Sequence, residues 1–440
     1  MYASRVGALA RASILLLAVV GCGGGAATLD GGMDATSDAR VDAPIANDAG
    51  ADATESDAFV PGPHGAFPQA INGGGGVLGA PVVVPVFFAG DALEPNLEAF
   101  LAALASSSYW STLESQYGVG PLTVAPSVVL DDTPPETASI DDVADFIAAK
   151  LEASASDAGD AGGDADDGDG GDDGEASAAS HWPAPTPNTV YFMYYPASTT
   201  LTLGASVGCD GFAGYHSNWH TATNQTYVFA AQARCPNLQT LDVATQNTTH
   251  ELVESTTDPL FTTYASVDVA HAIWSADPGY ELGDLCEVES LSYQRMIGNS
   301  LVARFWSNTA AAQGHDPCAP AIADVYYNSV PVLPDQVSIT LFSQPVTTDG
   351  VSVPLHQSKT IAVQLFSDAP TTDWSLQAQD LSSSGSELAF TWDDTTGNNG
   401  DTRQLTITRA QNDANGGTEF VIYSQQSSSS WHAYFAVAGQ

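Results

Sequence analysis

Hydrophobic positions change rhythm twice along this chain. From residue 64 to about 325, continuous apolar runs alternate with helical patterns. Pro81 to Phe88 (PVVVPVFF) is rich in β-branched residues and predicts a buried strand. Glu94 to Leu104 and Ser139 to Leu151 predict helices, the second capped by Ser139 with Asp141 and Asp142 in its first turn. Thr189 to Tyr195 (TVYFMYY) and Thr226 to Ala231 predict strands. Asp242 to about Thr257 predicts a helix that Pro259 stops. Strands interleaved with helices imply an α/β or α+β domain. From about Val332 to Gln440 the period becomes two, as in Val337 to Leu341, Thr360 to Phe366, Leu405 to Thr408 and Trp431 to Val437. About eight short strands, parted by turn clusters such as DDTTGNNGD, predict an all-β immunoglobulin-like sandwich over 332–440, although no Cys-Trp-Cys pattern accompanies it.

Two stretches have no apolar rhythm at all. Residues 23–63 are mostly Ala, Gly and Asp and predict a disordered tether. Residues 154–179 (through DAGDAGGDADDGDGGDDGEA) predict a solvated insertion. Their likeness to a calcium loop lacks the terminal Glu and flanking helices that such a loop needs. The first 22 residues read as an export signal. Arg5 and Arg11 precede a run from Ile14 to Val20 that is too short to span a bilayer. The run ends in Val19-Val20-Gly21-Cys22, which resembles the lipobox of bacterial lipoproteins. Cys22 is therefore the expected lipidation site, and the chain is expected at an outer membrane or cell surface.

The charge balance narrows the partners. Ten basic against 52 acidic residues, a net −42, argue against nucleic acid, and leave the lipid anchor as the only expected membrane contact. Four cysteines beyond Cys22 read as two disulfides in an exported chain. Of three pairings, sequence order favours Cys209–Cys235 and Cys286–Cys318.

Candidate chemistry concentrates in Thr249-His250-Glu251-Leu252-Val253-Glu254-Ser255-Thr256-Thr257-Asp258-Pro259. His250 and Glu254 stand four apart and project from one helical face, so both reach one cation. Glu251 lies about 100° around the axis. In H-E-x-x-H metalloproteases the equivalent glutamate is the general base. A third ligand is expected from Glu281-Leu282-Gly283-Asp284-Leu285-Cys286: Glu281 is favoured, with Asp284 as its neighbour or alternative and Asp258 as a rival on the first helix. His216, in GYHSNWH, is a further candidate for the cleft wall. No G-x-S-x-G elbow or phosphate-binding Gly loop competes with this site.

The succession PVVVPVFF, SSSYWSTLESQYG, TVYFMYYP, GYHSNW, HELVESTTDP and ELGDLC resembles the EXORDIUM-like, phosphate-induced protein family, and within it the secreted bacterial members. The likeness spans about residues 75–320 without the acidic insertion. It implies a zincin-like fold with His250, Glu254 and Glu281 as metal ligands, and an extracellular setting. It attaches no firm enzymatic activity. One imidazole and two carboxylates nearly cancel a dication's charge and acidify water less than two histidines would. Zinc is the expected metal, and oxygen-rich ligation also admits manganese or calcium. The expected function is thus a metal-dependent peptide hydrolase with Glu251 as base. The alternative is a non-catalytic surface or wall-binding protein with a structural metal. A peptide or a cell-wall component is the expected ligand.

Overall fold

The computed structural model describes residues 58–160, 182–210, 212–220, 226–235, 239–276, 280–287, 289–411 and 416–440. The export signal, Cys22, most of the 23–63 tether and most of the acidic insertion lie outside the described residues.

The apolar run of the first region becomes β1 (Val82–Phe88), buried along all but its first residue. Helices α1 (Glu94–Ala105) and α2 (Ser108–Tyr117) follow, then two short strands, β2 (Thr123–Val124) and β3 (Val128–Leu130). Both pair with β1 in succession and parallel to it. Helix α3 (Ile140–Asp160) leads to β4 (Thr189–Tyr194), β5 (Gly214–His220), β6 (Thr226–Gln232) and α4 (Leu241–Thr257). The sheet order is β2-β1-β4-β6-β5, with β3 beside β1; only the edge strand β5 runs antiparallel. Alternate side chains serve opposite faces, as the pleat requires. Val83, Phe87, Val190, Phe192 and Ala230 pack towards α1, α2 and α4. Val84, Val86, Tyr191, Met193 and Phe229 pack towards α3 through Val143 and Ile147. The sequence ends α3 at Leu151, yet the helix runs on to Asp160 and into the expected solvated insertion. The stretch after Leu151 holds no Gly or Pro until Gly159, in the helix's last turn, so nothing in it stops the helix earlier.

Among the described residues, ten strands, against about eight expected, form the second region: β7 (Tyr327–Pro331), β8 (Asp335–Leu341), β9 (Gln344–Ser352), β10 (Ser358–Ser367), β11 (Trp374–Asp380), β12 (Leu388–Trp392), β13 (Thr396–Gly397), β14 (Thr402–Arg409), β15 (Gly417–Ser427) and β16 (Ser430–Gly439). They make two sheets, β7-β10-β14-β12 and β8-β9-β16-β15-β11-β13. Ile361, Leu365 and Leu405 of one meet Val351, Leu376 and Ile422 of the other in a shared apolar filling. The chain therefore combines a mixed α/β region with a β-rich sandwich.

These regions are not beads on a string. One core cluster runs from Leu97, Val83 and Leu252 through Trp274 and Trp306 to Tyr434, Phe435 and Val437 of β16. Trp274 donates from Nε1 to the Phe435 carbonyl at 3.1 Å. Residues at the end of the expected tether dock here too: Asn399 accepts from the Gly62 amide at 2.6 Å and donates to the Val60 carbonyl at 2.9 Å. The His64 ring then stacks on Phe366 at 3.7 Å. Both favoured disulfides, Cys209–Cys235 and Cys286–Cys318, are formed. No helix among the described residues is long and apolar enough to cross a membrane.

Candidate metal centre

Helix α4 is buried on nearly every side, although its sequence is mostly polar. Its hydroxyls make that tolerable by returning to the helix's own carbonyls: Thr248 to Ala244 at 2.8 Å, Thr249 to Thr245 at 2.9 Å, Thr256 to Leu252 at 2.6 Å and Thr257 to Val253 at 2.7 Å. Thr240 caps the start by accepting from the Val243 amide. At the other end, Asp258 Oδ1 accepts from the Thr262 and Thr263 amides at 2.7 and 2.8 Å, so the Asp-Pro step is a turn clamp.

On this frame His250 and Glu254 meet as their spacing predicts, with Nε2 3.1 Å from Oε1. A short helical turn over Asp284–Cys286, tied down by the Cys286–Cys318 bridge, approaches from the far side. It brings Asp284 Oδ1 to 3.7 Å from His250 Nε2, and Glu287 Oε1 to 3.4 Å from His250 Nδ1. Ligands on bonds of about 2.1 Å stand about 3.4 Å apart around a tetrahedral ion, and the two distances from Nε2 bracket that spacing, while Glu287 lies at the ring's other nitrogen.

A second set lies deeper. Strand β5 inserts His216, whose Nδ1 is 3.8 Å from Glu254 Oε2 and 4.0 Å from Glu251 Oε2. Its Nε2 is 3.5 Å from Glu281 Oε1 and 3.3 Å from the Asp258 carbonyl. Donor atoms of His250, Glu254 and Asp284 all lie within 4.8 Å of one another, and so do those of His216, Glu254 and Glu281. The trio favoured by the sequence is thereby divided. Glu254 belongs to both sets, Asp284 joins His250, and Glu281 joins His216. The outer set reaches solvent, with Asp284 and Glu287 side chains 30% and 49% exposed. The inner one is closed.

Charge in the cluster is strongly unbalanced. Glu251, Glu254, Asp258, Glu281, Asp284 and Glu287 surround two imidazoles. Among the described residues, no lysine or arginine pairs with any of them. Burial pushes Glu251 well above the usual carboxylate range against the pull of His250, and the charge of Glu254 adds to the push. Burial pushes Glu281 up likewise, reinforced by Glu254, Asp284 and Asp258. Burial works against a charged His250, yet Glu254 and Glu287 hold its proton well above the ordinary imidazole range. Glu254 is the exception: burial pushes it up, but the imidazoles beside it win and hold it at about 2. Buried Glu251 Oε2, Asp258 Oδ2 and Glu281 Oε1 have no hydrogen-bond partner, and Glu254 Oε1 has only the His250 ring, at 3.1 Å. Each such oxygen costs about 1–3 kcal/mol or more. The donor set fits a divalent cation.

Two glycines allow this crowding. A Cβ on Gly283 would stand 2.7 Å from both Glu254 Oε1 and His250 Nδ1, and one on Gly214 would stand 2.6 Å from Glu251 Oε1. Aromatic rings lie beside the inner set: Phe261 stacks on His216 at 4.9 Å, and Tyr280, next to Glu281, meets Phe342 of the sandwich at 5.8 Å. Glu287, Phe342 and the two glycines escape sequence reasoning. The Gly preceding Asp284 in ELGDLC is the one signal that hints at close approach.

No model of a known protein family matches the chain, and no curated protein matches it. Among solved structures, the Bacteroides ovatus GH5 xyloglucanase in complex with a XXXG heptasaccharide is similar at 13% identity over 20% of this chain and 17% of that one, with a TM-score of 0.14. The surface layer protein SbsC, domains 4–9, is similar at 12% identity over 34% of this chain and 28% of that one, with a TM-score of 0.16. The chain spans under a third of either solved chain, and at such TM-scores these likenesses carry no argument about fold or function.

Proposed function

We propose that the chain is an exported, lipid-anchored metalloprotein with a zincin-like domain, and that it hydrolyses peptides at the outer set of α4. The observation that carries this reading is the group of buried carboxylate oxygens without partners beside His250. A buried acid cluster with no lysine or arginine needs a cation, and the HExxE spacing supplies its ligands. His250, Glu254 and Asp284 would hold the ion, with Glu287 beside His250. Zinc suits this set, and manganese or calcium is admitted by its oxygens. Such an ion polarises a carbonyl and acidifies water. Glu251, raised and buried one position along the helix, would accept and return the proton at Oε2. The exposed rings of Phe261 and Phe342 would hold an apolar side chain of the substrate. Anchoring rests on Cys22 and the signal before it, and the two disulfides suit an oxidising compartment.

The test is elemental analysis of the full chain, purified without a metal-binding tag, together with cleavage of a peptide library. Stoichiometric metal, with hydrolysis abolished in Glu251→Gln at unchanged metal content and Tm, supports the reading. A chain that takes up no metal overturns it. The closed inner set favours a second reading, a structural ion in a surface-binding protein. That reading expects chelation to unfold the domain and no peptide to be cleaved.

A further inference from the structure

We infer that the centre takes two divalent cations bridged by the Glu254 carboxylate, the inner one held by His216 and Glu281. This inference rests on the metal reading above and extends it. The argument begins with the two oxygens of one side chain. Glu254 Oε1 faces His250 at 3.1 Å, while Oε2 faces His216 at 3.8 Å. A carboxylate that turns each oxygen to a different imidazole has the form of a bridge. Paired metal ions in hydrolytic sites stand about 3.5–4 Å apart, the span such a bridge imposes.

Each side then has its own terminal ligands. His250 and Asp284 serve the outer position, and His216 and Glu281 the inner one. The inner residues face one another, and beyond the set His216 meets Glu251, the Asp258 carbonyl and the Phe261 ring. His216, Glu254 and Glu281 are 5%, 4% and 8% exposed, and Glu281 Oε1 lacks any hydrogen-bond partner. Asp258 offers its free Oδ2 nearby, since Oδ1 is committed to Thr262 and Thr263. One outer ion would leave Glu281 and Asp258 uncompensated in the interior. Two ions bring four positive charges against six carboxylates and two neutral imidazoles, which relieves the cluster far more completely.

The full chain, stripped of metal and titrated with Mn2+, tests the inference. Bound ions are counted after gel filtration in salt, so that the acidic surface does not contribute. Two equivalents are expected, with an exchange-coupled electron paramagnetic resonance signal in place of two independent Mn2+ spectra. His216→Ala and the near-isosteric Glu281→Gln should each reduce binding to one equivalent and abolish the coupling. Glu254→Gln should weaken both equivalents at least tenfold. Saturation at one equivalent, or two equivalents that survive both inner-set substitutions, overturns the bridged pair and leaves the single-ion reading standing. No bound ion at all overturns both. Circular dichroism and Tm of Glu281→Gln separate loss of binding from loss of fold.

Discussion

Among the described residues, two large clusters of buried charge are built in opposite ways. At the α4 centre, carboxylates crowd together without a permanent cation. Where the α/β region meets the sandwich, Glu289 and Asp316 share Arg304, which donates to Asp316 and to the Cys318 carbonyl. Arg304 Nη1 is also 3.6 Å from Glu289 Oε2, and His432 of β16 lies 3.4 Å from that oxygen. Tyr326 donates to Glu289 at 3.4 Å. Glu289, Asp316 and Cys318 are close enough to suggest a third metal group, but Cys318 is spent in a disulfide and the guanidinium already occupies the centre. The difference teaches that proximity of acids is not a metal site. What matters is whether the chain supplies the counter-charge itself.

The largest effect should come from removing that built-in counter-charge. Arg304→Ala leaves Asp316 buried without its cation and Glu289 with only His432 and Tyr326, and should cost about 3–5 kcal/mol, enough to threaten folding. Glu281→Gln at the other cluster removes a buried carboxyl group that no lysine or arginine faces, so the metal-free protein should hold or gain stability. Denaturant unfolding of both variants, without metal, tests the contrast directly. Equal losses would break it. The complementary measurement is addition of metal: at about 100 times Kd, a cation that binds only the folded state should raise stability by about 2.7 kcal/mol per ion, and Glu254→Gln should abolish the gain.

Acidity separates the clusters as well. Burial pushes Glu289 up, but His432 and Arg304 outweigh it and hold it below its ordinary value of 4.5. Its contribution is present above that value and lost as pH falls through the lowered one. Asp316 behaves oppositely, because burial, only partly offset by Arg304, raises it from 3.8 to about 6. Its contribution is present below the ordinary value and lost as pH rises through the raised one. The junction should therefore be most stabilising a little above pH 4. Asp316→Asn should remove the decline on the alkaline side, and Glu289→Gln the one on the acid side. The expected amplitude is on the order of 1–3 kcal/mol in denaturation midpoints across pH.

Much of this was legible in the chain, and the exceptions share a cause. His250 and Glu254 could be paired from spacing alone, because a helix fixes the geometry of residues four apart. PVVVPVFF and TVYFMYY announced the central strands, because burial on both faces leaves no polar positions. The choice between Glu281 and Asp284 could not be read, because a short helical turn and the Cys286–Cys318 bridge decide which side chain meets which imidazole. His216 was visible as a candidate, but its acid partners depend on how β5 pairs beside β6, where His216 faces Ala230. The shared core around Trp274 and Tyr434 joins residues 160 positions apart along the chain by rough count, a separation that no local pattern encodes.

A smaller effect sharpens the metal side. Gly283→Ala puts a methyl group into the space of His250 Nδ1 and Glu254 Oε1. Both ends can swing, but only by giving up their shared aim. Metal affinity should fall about 10–100-fold, as when a group supporting a ligand is lost, while stability without metal changes little. Competition with a chelator of known affinity measures it. Undiminished affinity would mean that the outer ligands converge elsewhere than the geometry of His250 and Glu254 indicates.

The smallest effect concerns a place where the sandwich reaches towards the centre. Leu341 and Gln344 pair across a two-residue turn, so Phe342 and Ser343 form the tip of the β8–β9 hairpin. Both have positive φ, 48° and 64°, as the tightest hairpin turns demand. Phenylalanine is a poor residue there, and Asn or Gly would be cheaper. It is nevertheless 68% exposed and meets Tyr280 beside Glu281. Phe342→Asn should relieve the backbone while removing the ring, leaving stability within about 0.5 kcal/mol of the parent. If the ring holds substrate, KM for apolar peptides should rise severalfold with kcat and metal content unchanged. If KM stays put while stability rises, the tip is a strained turn with no part in recognition, and the sandwich would serve the centre only through the shared core.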